Sequence, residues 1–546
     1  MHAKITLLFG RHDFEYDIYS LLKAFWPQAE ITSGYLDTEE GEDTCRYPAG
    51  SEPQEQIFSE KDPAKKNDLA QKSEPWNDIP DAGTVCVLDF RRADPDPEKE
   101  MVIFRLIPEN EEAAHVLKLS SADQICAEAE IILVWDRITV KNHVKELVYR
   151  TISEKTRMQL PWGDLTGIRP VKLMSGLIES GLGDDEAMQY MQRTWFVSPG
   201  KARLALQTAR REESLMKDFP AKEGYSLYIG IPFCPTICLY CSFGSHPLNR
   251  WKKKTDLYLD VLEKELHAVK EMMQGRTPDT IYIGGGTPTS LSEQQLLRLM
   301  TFVSGTFVSD TLREFTVEAG RPDTITAEKL QILRQFPVDR ISVNPQTMNQ
   351  QTLDRIGRQH TVEETIAAFT RAREAGFDNI NMDLIVGLPG EGEREVARTL
   401  GEIRKLGPDS LTVHSLALKR ATRLHLFRDV YEDDSFTNSD RIMEMTEQCA
   451  ADLGMTPYYL YRQKNIAGNF ENVGYAREGK ACLYNILIME QRQTIIGAGS
   501  GASTKLILGG NRVERAENVK DLGQYFERID EMLDRKRELL KLRTSS

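Results

Sequence analysis

From residue 225 onward, short apolar runs alternate with stretches in which apolar residues recur every three or four positions. The runs are 227–231, 280–283, 314–318, 340–343, 380–386 and 410–416. Runs of this length read as buried strands, and the periodic stretches between them read as amphipathic helices. Residues 256–273 set Tyr258, Leu262, Leu266, Val269 and Met273 on one face. Residues 361–375 open with the capping pair Thr361 and Glu364 and stop at Gly376. Residues 393–406 keep Val396, Leu400 and Ile403 in register after a break at Pro389 and Gly390. Six successive β/α units demand right-handed crossovers and therefore a parallel sheet. Six units are too few for the closed eight-stranded form. The expected fold is α/β, a partial (β/α)6 barrel open at one side, with its ligand at the C-terminal ends of the strands.

The pattern differs on either side of this region. Residues 1–160 are expected to form an N-terminal α+β extension. It comprises a strand at 5–9, a helix through Tyr16, Leu21, Leu22 and Phe25, a hairpin of 84–90 with 101–107, a strand at 131–135 and a closing helix at 140–158. Within it, 37–81 is polar, acidic and proline-bearing with little periodicity, and reads as a flexible loop. Residues 161–220 read as a helical linker segment. Its Arg169 and Lys172, beside Gly167 and Pro170, offer either an anion contact or packing against the next domain. The barrel occupies 221–440. Residues 441–546 are expected as a C-terminal α+β domain, closing with an amphipathic helix whose inner side carries Leu522, Tyr525, Phe526, Ile529 and Leu533.

Composition narrows the possible roles. A net charge of −14 argues against general nucleic-acid binding, because neutralising phosphates needs basic surface. No apolar run reaches membrane-spanning length, and the opening MHAKITLLFG lacks the long apolar core and cleavage site of a secretory signal, so a cytoplasmic protein is expected. Cys45, Cys86, Cys126, Cys449 and Cys482 are scattered like reduced thiols. Cys234, Cys238 and Cys241 are different: they form CxxxCxxC directly after the first barrel strand. Soft thiolates at this density select zinc, copper(I) or an iron–sulfur cluster. A cubane of four irons would keep one iron open to a small molecule. Zinc would instead need a closed tetrahedral set, with His246 as the fourth ligand. The spacing allows both.

The other strand ends also carry polar or glycine positions. The second strand runs into Gly284, Gly285, Gly286, Thr287 and Pro288, a turn that lets a ligand approach the backbone and offers it free peptide groups. Glu318 ends the third strand, Gln346 follows the fourth, Arg358 lies shortly after, and Asp383 sits inside the fifth. A carboxylate within a buried strand is costly unless it is paired or ligand-bound, so Asp383 points to a ligand. Glu318 and Arg358 either share that role or pair with each other.

The triplet with Tyr240 before its third cysteine, followed by GGGTP, resembles the radical S-adenosylmethionine superfamily. YIGIPFC and DLIVGLPG resemble its oxygen-independent coproporphyrinogen III oxidase family, and LPWGDLTGIRP and YYLYRQKN resemble the HemZ-type members. The likeness is dense over 225–417 and thinner to about 506, and before 225 it rests on the HemZ-type features alone. It implies a 4Fe–4S cluster on Cys234, Cys238 and Cys241, whose open iron holds the amino and carboxylate groups of S-adenosylmethionine. Tyr228, Gly285 and Glu318 would contact that molecule. A second S-adenosylmethionine would meet Tyr240, Gly286, Thr287, Gln346, Arg358, Asp383 and Ala417. A ferredoxin- or flavodoxin-type donor would supply one electron, and the 5′-deoxyadenosyl radical so formed would take hydrogen from a tetrapyrrole propionate, which then loses carbon dioxide. Two such events convert coproporphyrinogen III to protoporphyrinogen IX.

One position departs from that pattern. The decarboxylases carry a further cysteine two residues after the triplet, where this chain has Phe243, as the haem-delivery branch does. The departure opens two other readings: haem binding and delivery without decarboxylation, and radical chemistry on another substrate. Further along, His414, Lys419, Arg420, Arg423 and His425 are either partners for substrate carboxylates or a solvated basic loop. The segment 458–465, with Arg462 and Lys464, either caps the barrel's open side or forms a strand and turn on its flank. The glycine-rich 497–503 lacks the helix-opening context of a nucleotide site and approaches the cofactor by analogy only.

Overall fold

The computed structural model describes residues 4–9, 14–26, 29–35, 84–92, 99–108, 127–132, 137–167, 169–221, 223–242, 244–417, 438–463, 466–508 and 512–545. The loop expected at 37–81, together with Phe243, Lys419, Arg420, Arg423, His425 and Lys464, lies outside the described residues. The chain divides into two units, Met1–Thr166 with Arg193–Ser198, and Gly167–Gln192 with Pro199–Ser546.

In the first unit a five-stranded sheet has the order β2-β1-β3-β4-β5, from β1 (Lys4–Phe9), β2 (Glu30–Tyr35), β3 (Thr84–Arg92), β4 (Lys99–Pro108) and β5 (Ala127–Ile132). The strands β3 and β4 form the expected antiparallel hairpin. The strand expected at 131–135 starts earlier, at Ala127, and its last residues lie outside the description. Helix α1 (Glu15–Phe25) buries Ile18, Leu21, Leu22 and Phe25, but Tyr16, expected on that face, is 52% exposed. Ile18 falls in register with Leu21, Leu22 and Phe25, and Tyr16 does not. Helix α2 (Arg137–Thr156) adds Val140, Val144, Val148 and Ile152 at four-residue spacing to the same core.

The second unit contains one sheet of eleven strands. Its centre is β6 (Tyr225–Ile231), β7 (Pro278–Gly285), β8 (Glu314–Glu318), β9 (Arg340–Ser342), β10 (Ile380–Val386) and β11 (Ser410–Ser415). These six are neighbours in chain order and all parallel, as the alternation predicts. Helices α3 (Thr255–Met272), α4 (Glu293–Phe307), α5 (Ala327–Leu333), α6 (Val362–Glu374) and α7 (Glu393–Leu406) follow β6 to β10. The box at α6 forms in both directions, with Glu364 N donating to Thr361 Oγ1 at 3.1 Å and Thr361 N donating to Glu364 Oε2 at 2.7 Å. Burial of Leu227, Ile229, Ile231, Ile281 and Ile283 reflects a parallel sheet covered by its crossovers.

The remaining five strands pair onto the two edges of this parallel core. On one side β13 (Asn472–Ala476) runs antiparallel to β11 and carries β12 (Thr456–Tyr461); on the other β14 (Ile495–Ala498) runs parallel to β6 and carries β15 (Ser503–Ile507) and β16 (Val513–Glu517). An open barrel leaves two unpaired edges, and the C-terminal residues cover both. Toward the N-terminal ends of the strands, Glu314 accepts from Leu483 N at 2.5 Å, Tyr484 N at 3.3 Å and the Cys482 thiol at 3.2 Å, holding helix α8 (Leu483–Met489) beneath the sheet. Among the described residues no helix is long and apolar enough to cross a membrane.

The C-terminal helix α9 (Ile529–Lys541) is fastened by a buried charge. Glu265 of α3 is fully buried and accepts from Lys536 Nζ, Tyr525 Oη at 2.6 Å, Asn518 Nδ2 at 2.7 Å and Gly499 N at 2.8 Å. Lys536→Met leaves that carboxylate without its cation, and the expected cost is about 3–5 kcal/mol. Equilibrium urea unfolding is expected to show a matching fall in midpoint; an unchanged midpoint would refute the role assigned to this pair.

Candidate active site

Strand β6 delivers the chain to the three cysteines, and a short bridge closes the loop behind them. Phe233 and Cys234 pair in parallel with His246 and Pro247, so the loop is pinned at its base. Inside it Cys241 N donates to Cys238 O at 3.1 Å, and Leu239 N donates to Ile356 O at 3.0 Å. Cys238 is buried; Cys234 and Cys241 are half-buried. The three sulfurs share one electrostatic neighbourhood. Burial pushes the Cys234 thiol up to about 11, the hydrogen bond with Thr287 Oγ1 at 3.5 Å pulls it back, and the other two cysteines push it further. Arg321 donates to Cys238 Sγ at 3.8 Å while forking onto Asp323 at 2.9 and 2.8 Å.

His246 does not join the thiols. Its Nε2 lies 3.3 Å from the Lys520 carbonyl, and its ring packs edge-on against Trp251 at 5.6 Å. Among the described residues no group of three or more His, Cys, Asp or Glu side chains is arranged around a single metal ion. The fourth ligand that zinc would need is thus engaged elsewhere.

The glycine turn after β7 is shaped by the protein itself. Gly286 N donates to Ile231 O and Thr287 N to Phe233 O, both at 2.8 Å, and the Gly285 N–H serves the Glu318 carboxylate. The free N–H groups expected here are therefore engaged, which leaves close approach and carbonyls as what the turn offers a ligand. A Cβ on Gly286 would fall 2.6 Å from Phe233 O, and one on Gly284 would fall 2.9 Å from the Glu318 carboxyl. Gly285 has φ +107°, a conformation suited to glycine. Tyr228 Oη lies beside it, 3.2 Å from where a Gly285 Cβ would stand, and the Tyr228 ring stacks at 6.2 Å on both Tyr282 and Tyr484.

Glu318 also accepts from Tyr282 Oη. Burial pushes its carboxyl up to about 7, the Tyr282 and Gly285 hydrogen bonds oppose that shift, and the charge of Asp383 adds to it. Asp383 accepts from Asn381 Nδ2 at 2.7 Å and lies 4.0 Å from His414 Nε2. Gln346 is tied to the same strand, its N donating to Asp383 O and its O accepting from Ile385 N, both at 2.9 Å. That bridge holds Gln346 at φ +67°, while its side-chain Oε1 and that of Asn344, Oδ1, are buried without a hydrogen-bond partner. Arg358 donates to Asn344 O at 2.5 Å and Pro345 O at 3.1 Å, leaving its Nε unpartnered, and its charge bears on buried Tyr240. The alternative pairing of Glu318 with Arg358 is not made. Ala417 lies just beyond β11, bridged to Ile466.

Thiols on one pinned loop, unsatisfied buried acceptors beside them and a carboxyl poised near neutrality fit a cluster with an amino-acid-bearing ligand. Some of this neighbourhood was not read from sequence. Arg321 carried a signal, standing three residues after Glu318 at a strand end; Tyr282 shares a strand face with Gly284; Tyr484 comes from far along the chain and carried none. Other candidates fall elsewhere. Arg462 is buried in structure, bound to Asn469 and to Gly167 O, and burial lowers its pKa to about 10. Arg169 donates to Gln491 Oε1 at 2.8 Å and faces the protein's own Glu490. The loop 497–503 rests on β6, with Ser500 N donating to Tyr258 Oη at 3.2 Å and that hydroxyl donating to Gly230 O at 2.6 Å.

The chain is similar in sequence to several known proteins. The family model described as Radical SAM superfamily matches residues 228–403. An oxygen-independent coproporphyrinogen-III oxidase-like protein HemZ of Bacillus subtilis (strain 168) is 41% identical over 402 residues, 73% of this chain and 80% of that protein. The heme chaperone HemW of the same organism is 33% identical over 318 residues, 56% of this chain and 76% of that protein. The solved structure titled as coproporphyrinogen III oxidase (HemN) from Escherichia coli, a radical SAM enzyme, aligns with TM-score 0.47 and 26% identity over 59% of this chain and 73% of that one. The chain belongs to the radical S-adenosylmethionine superfamily, whose members use a 4Fe–4S cluster and S-adenosylmethionine. Within it, the chain is a member of the HemN/HemZ family.

The Tyr282–Glu318 bond gives a test. Glu318 rises from the usual 4.5 to about 7 on folding, so its contribution to stability is full below 4.5 and is lost as pH rises through about 7. In cofactor-free protein, Tyr282→Phe is expected to move the Glu318 midpoint higher, and Glu318→Gln to remove the titration. Infrared difference spectra of the carboxyl band across pH 4–9 read both; a midpoint indifferent to Tyr282→Phe would count against the hydrogen bond.

Proposed function

We propose that this protein is an oxygen-independent oxidoreductase of the coproporphyrinogen dehydrogenase type, decarboxylating two propionates of coproporphyrinogen III to give protoporphyrinogen IX. The observation that carries the reading is the 41% identity to a coproporphyrinogen-III oxidase-like protein over 73% of the chain. It is supported by the polar groups gathered at the strand ends around the cysteine loop. Cys234, Cys238 and Cys241 hold the cluster. When bound, cluster and S-adenosylmethionine together supply a 5′-deoxyadenosyl radical able to remove an unactivated hydrogen.

The chain's own residues place and shield that chemistry. Tyr228, Gly285 and Glu318 orient the first S-adenosylmethionine; Tyr240, Gly286, Thr287, Gln346, Arg358, Asp383 and Ala417 orient a second. Gln346 Oε1 and Asn344 Oδ1 are acceptors suited to an ammonium, and Arg358 Nε is a donor suited to a carboxylate. Tyr282 holds Glu318 as a fixed acceptor for hydroxyl groups. His414, beside Asp383, is placed to meet a substrate propionate. Burial of these groups keeps water from the reacting centre. The proposed setting is the cytoplasm, with a ferredoxin- or flavodoxin-type donor.

A second reading, haem binding and delivery without decarboxylation, is favoured by Phe243 and by the 33% identity to a heme chaperone. Anaerobically reconstituted protein given coproporphyrinogen III, S-adenosylmethionine and a reductant is expected to release carbon dioxide together with 5′-deoxyadenosine. Cys238→Ala is expected to abolish both. If 5′-deoxyadenosine forms and no carbon dioxide is lost, the decarboxylase reading fails; stoichiometric haem retention in the same preparation would then favour delivery.

A further inference from the structure

We propose that a basic collar beside the cysteine loop, formed by Arg250, Lys252, Lys253, Lys254 and Lys520, is the docking surface for an acidic one-electron carrier protein. The inference rests on the reading that Cys234, Cys238 and Cys241 hold a redox-active cluster. Residues 250–254 put four cations into five positions on a chain whose net charge is −14. All five collar residues are exposed.

Chain geometry brings the collar to the loop. Pro247 is the residue paired with Cys234, and the short helix Leu248–Trp251 and the turn Lys252–Lys254 follow at once. With a strand spacing of about 4.8 Å and a rise of about 1.5–2 Å per residue, the run lies within about 20 Å of Cys234. Lys520 arrives from the other direction. Its side chain lies along Gly244, 3.8 Å from where a Cβ there would stand, and Gly244 is three residues past Cys241. Trp251 packs on His246 and Phe526, which fixes the run against the body of the protein.

The charge state of the collar sets it apart from its surroundings. On the adjoining helices Lys264 pairs with Asp530, Arg298 with Asp260 and Glu263, and Arg528 with Glu531. Among the described residues none of the five collar cations meets an acidic side chain. The acids next to them in sequence have other partners: Asp521 caps the following helix through Gln524 N at 2.9 Å, and Asp256 accepts from Gln295 Nε2 at 2.8 Å. Unpaired rim cations contribute little to folding but steer an anionic partner, and redox encounters use small, transient interfaces of this kind. An electron leaves the reduced flavin or iron–sulfur centre of the carrier, which is oxidised, and enters the cluster, which is reduced; no bond forms or breaks. Nucleic acid suits the patch less well, because the rest of this acidic surface would repel an extended phosphate backbone.

The test uses reconstituted holoprotein and a variant combining Lys252→Gln, Lys253→Gln, Lys254→Gln and Lys520→Gln, with purified acidic flavodoxin as the probe. Calorimetric titration with oxidised flavodoxin at low ionic strength is expected to show binding weakened about tenfold or more in the variant, with a flatter salt dependence. Bleaching of the cluster absorbance by reduced flavodoxin is expected to slow similarly, while bleaching by dithionite stays unchanged. Equal flavodoxin affinity in the two proteins overturns the proposal, as does a single-stranded oligonucleotide that binds more tightly than flavodoxin and loses that binding in the variant. Failure of dithionite to bleach any cluster in the unmodified protein would instead overturn the underlying cluster reading.

Discussion

Two backbone hydrogen bonds set the geometry of the barrel mouth: Gly286 N–H to Ile231 O and Thr287 N–H to Phe233 O. They carry the β6–β7 ladder past the ends of both strands and fasten the entrance of the cysteine loop to its neighbour. A buried peptide group left unpaired costs about 1–3 kcal/mol, so the loop and the turn are strongly committed to each other. The commitment explains the glycine, because a Cβ on Gly286 would strike the Phe233 carbonyl that accepts the second bond. From this joint the rest follows by contact. Thr287 is brought to Cys234, the Gly285 N–H to Glu318, and Glu318 to the field of Asp383.

The barrel handles buried charge differently at its two ends. Below the sheet Glu314 has three donors from the start of α8 and lies near Arg340, which is only 2% exposed. A carboxylate so satisfied acts as a structural fastener. At the opposite ends of the strands, Gln346 Oε1, Asn344 Oδ1 and Arg358 Nε are buried and unpartnered, and Gln346 is held in a left-handed conformation. Unsatisfied groups and backbone strain oppose folding and are uncommon unless something else requires them. At the mouth these groups lie beside the cysteine loop, where a ligand can meet them; below, Glu314 has its three donors, although Arg340 Nε is also buried without a partner.

What the chain discloses in advance follows from how local each signal is. The six parallel strands and the capping box at Thr361 are written in runs of a few residues, and the cysteine triplet is contained in eight positions, so all were legible. Strand β2 was not, because EITSGY has almost no apolar alternation and becomes a strand by pairing with β1. The same holds for β14, short and glycine-containing, which is defined by lying beside β6. The glycine turn was legible, but the engagement of its N–H groups was not, since their acceptors lie on β6, on the cysteine loop and on Glu318. Tyr484 is some two hundred residues from Tyr282 in sequence, and their stacking at 4.5 Å exists only once the sheet is complete.

The C-terminal segment is tied to the mouth by a similar logic. Glu265 receives Lys536 from the last helix, Asn518 from the end of β16 and the backbone of Gly499, while Tyr258, two turns earlier on the same helix α3, bonds both Ser500 and Gly230. Gly230 is the penultimate residue of the strand that launches the cysteine loop. One buried network therefore fixes the tail, the glycine-rich loop and β6 together. It also fixes the collar, because 250–254 leads directly into α3 and Lys520 follows Asn518 by two residues. A surface meant for a transient charged partner cannot be organised by internal ion pairs without neutralising the charges it presents. Here the organisation comes from beneath, through Glu265 and Tyr258, and among the described residues the lysines above meet no acidic side chain.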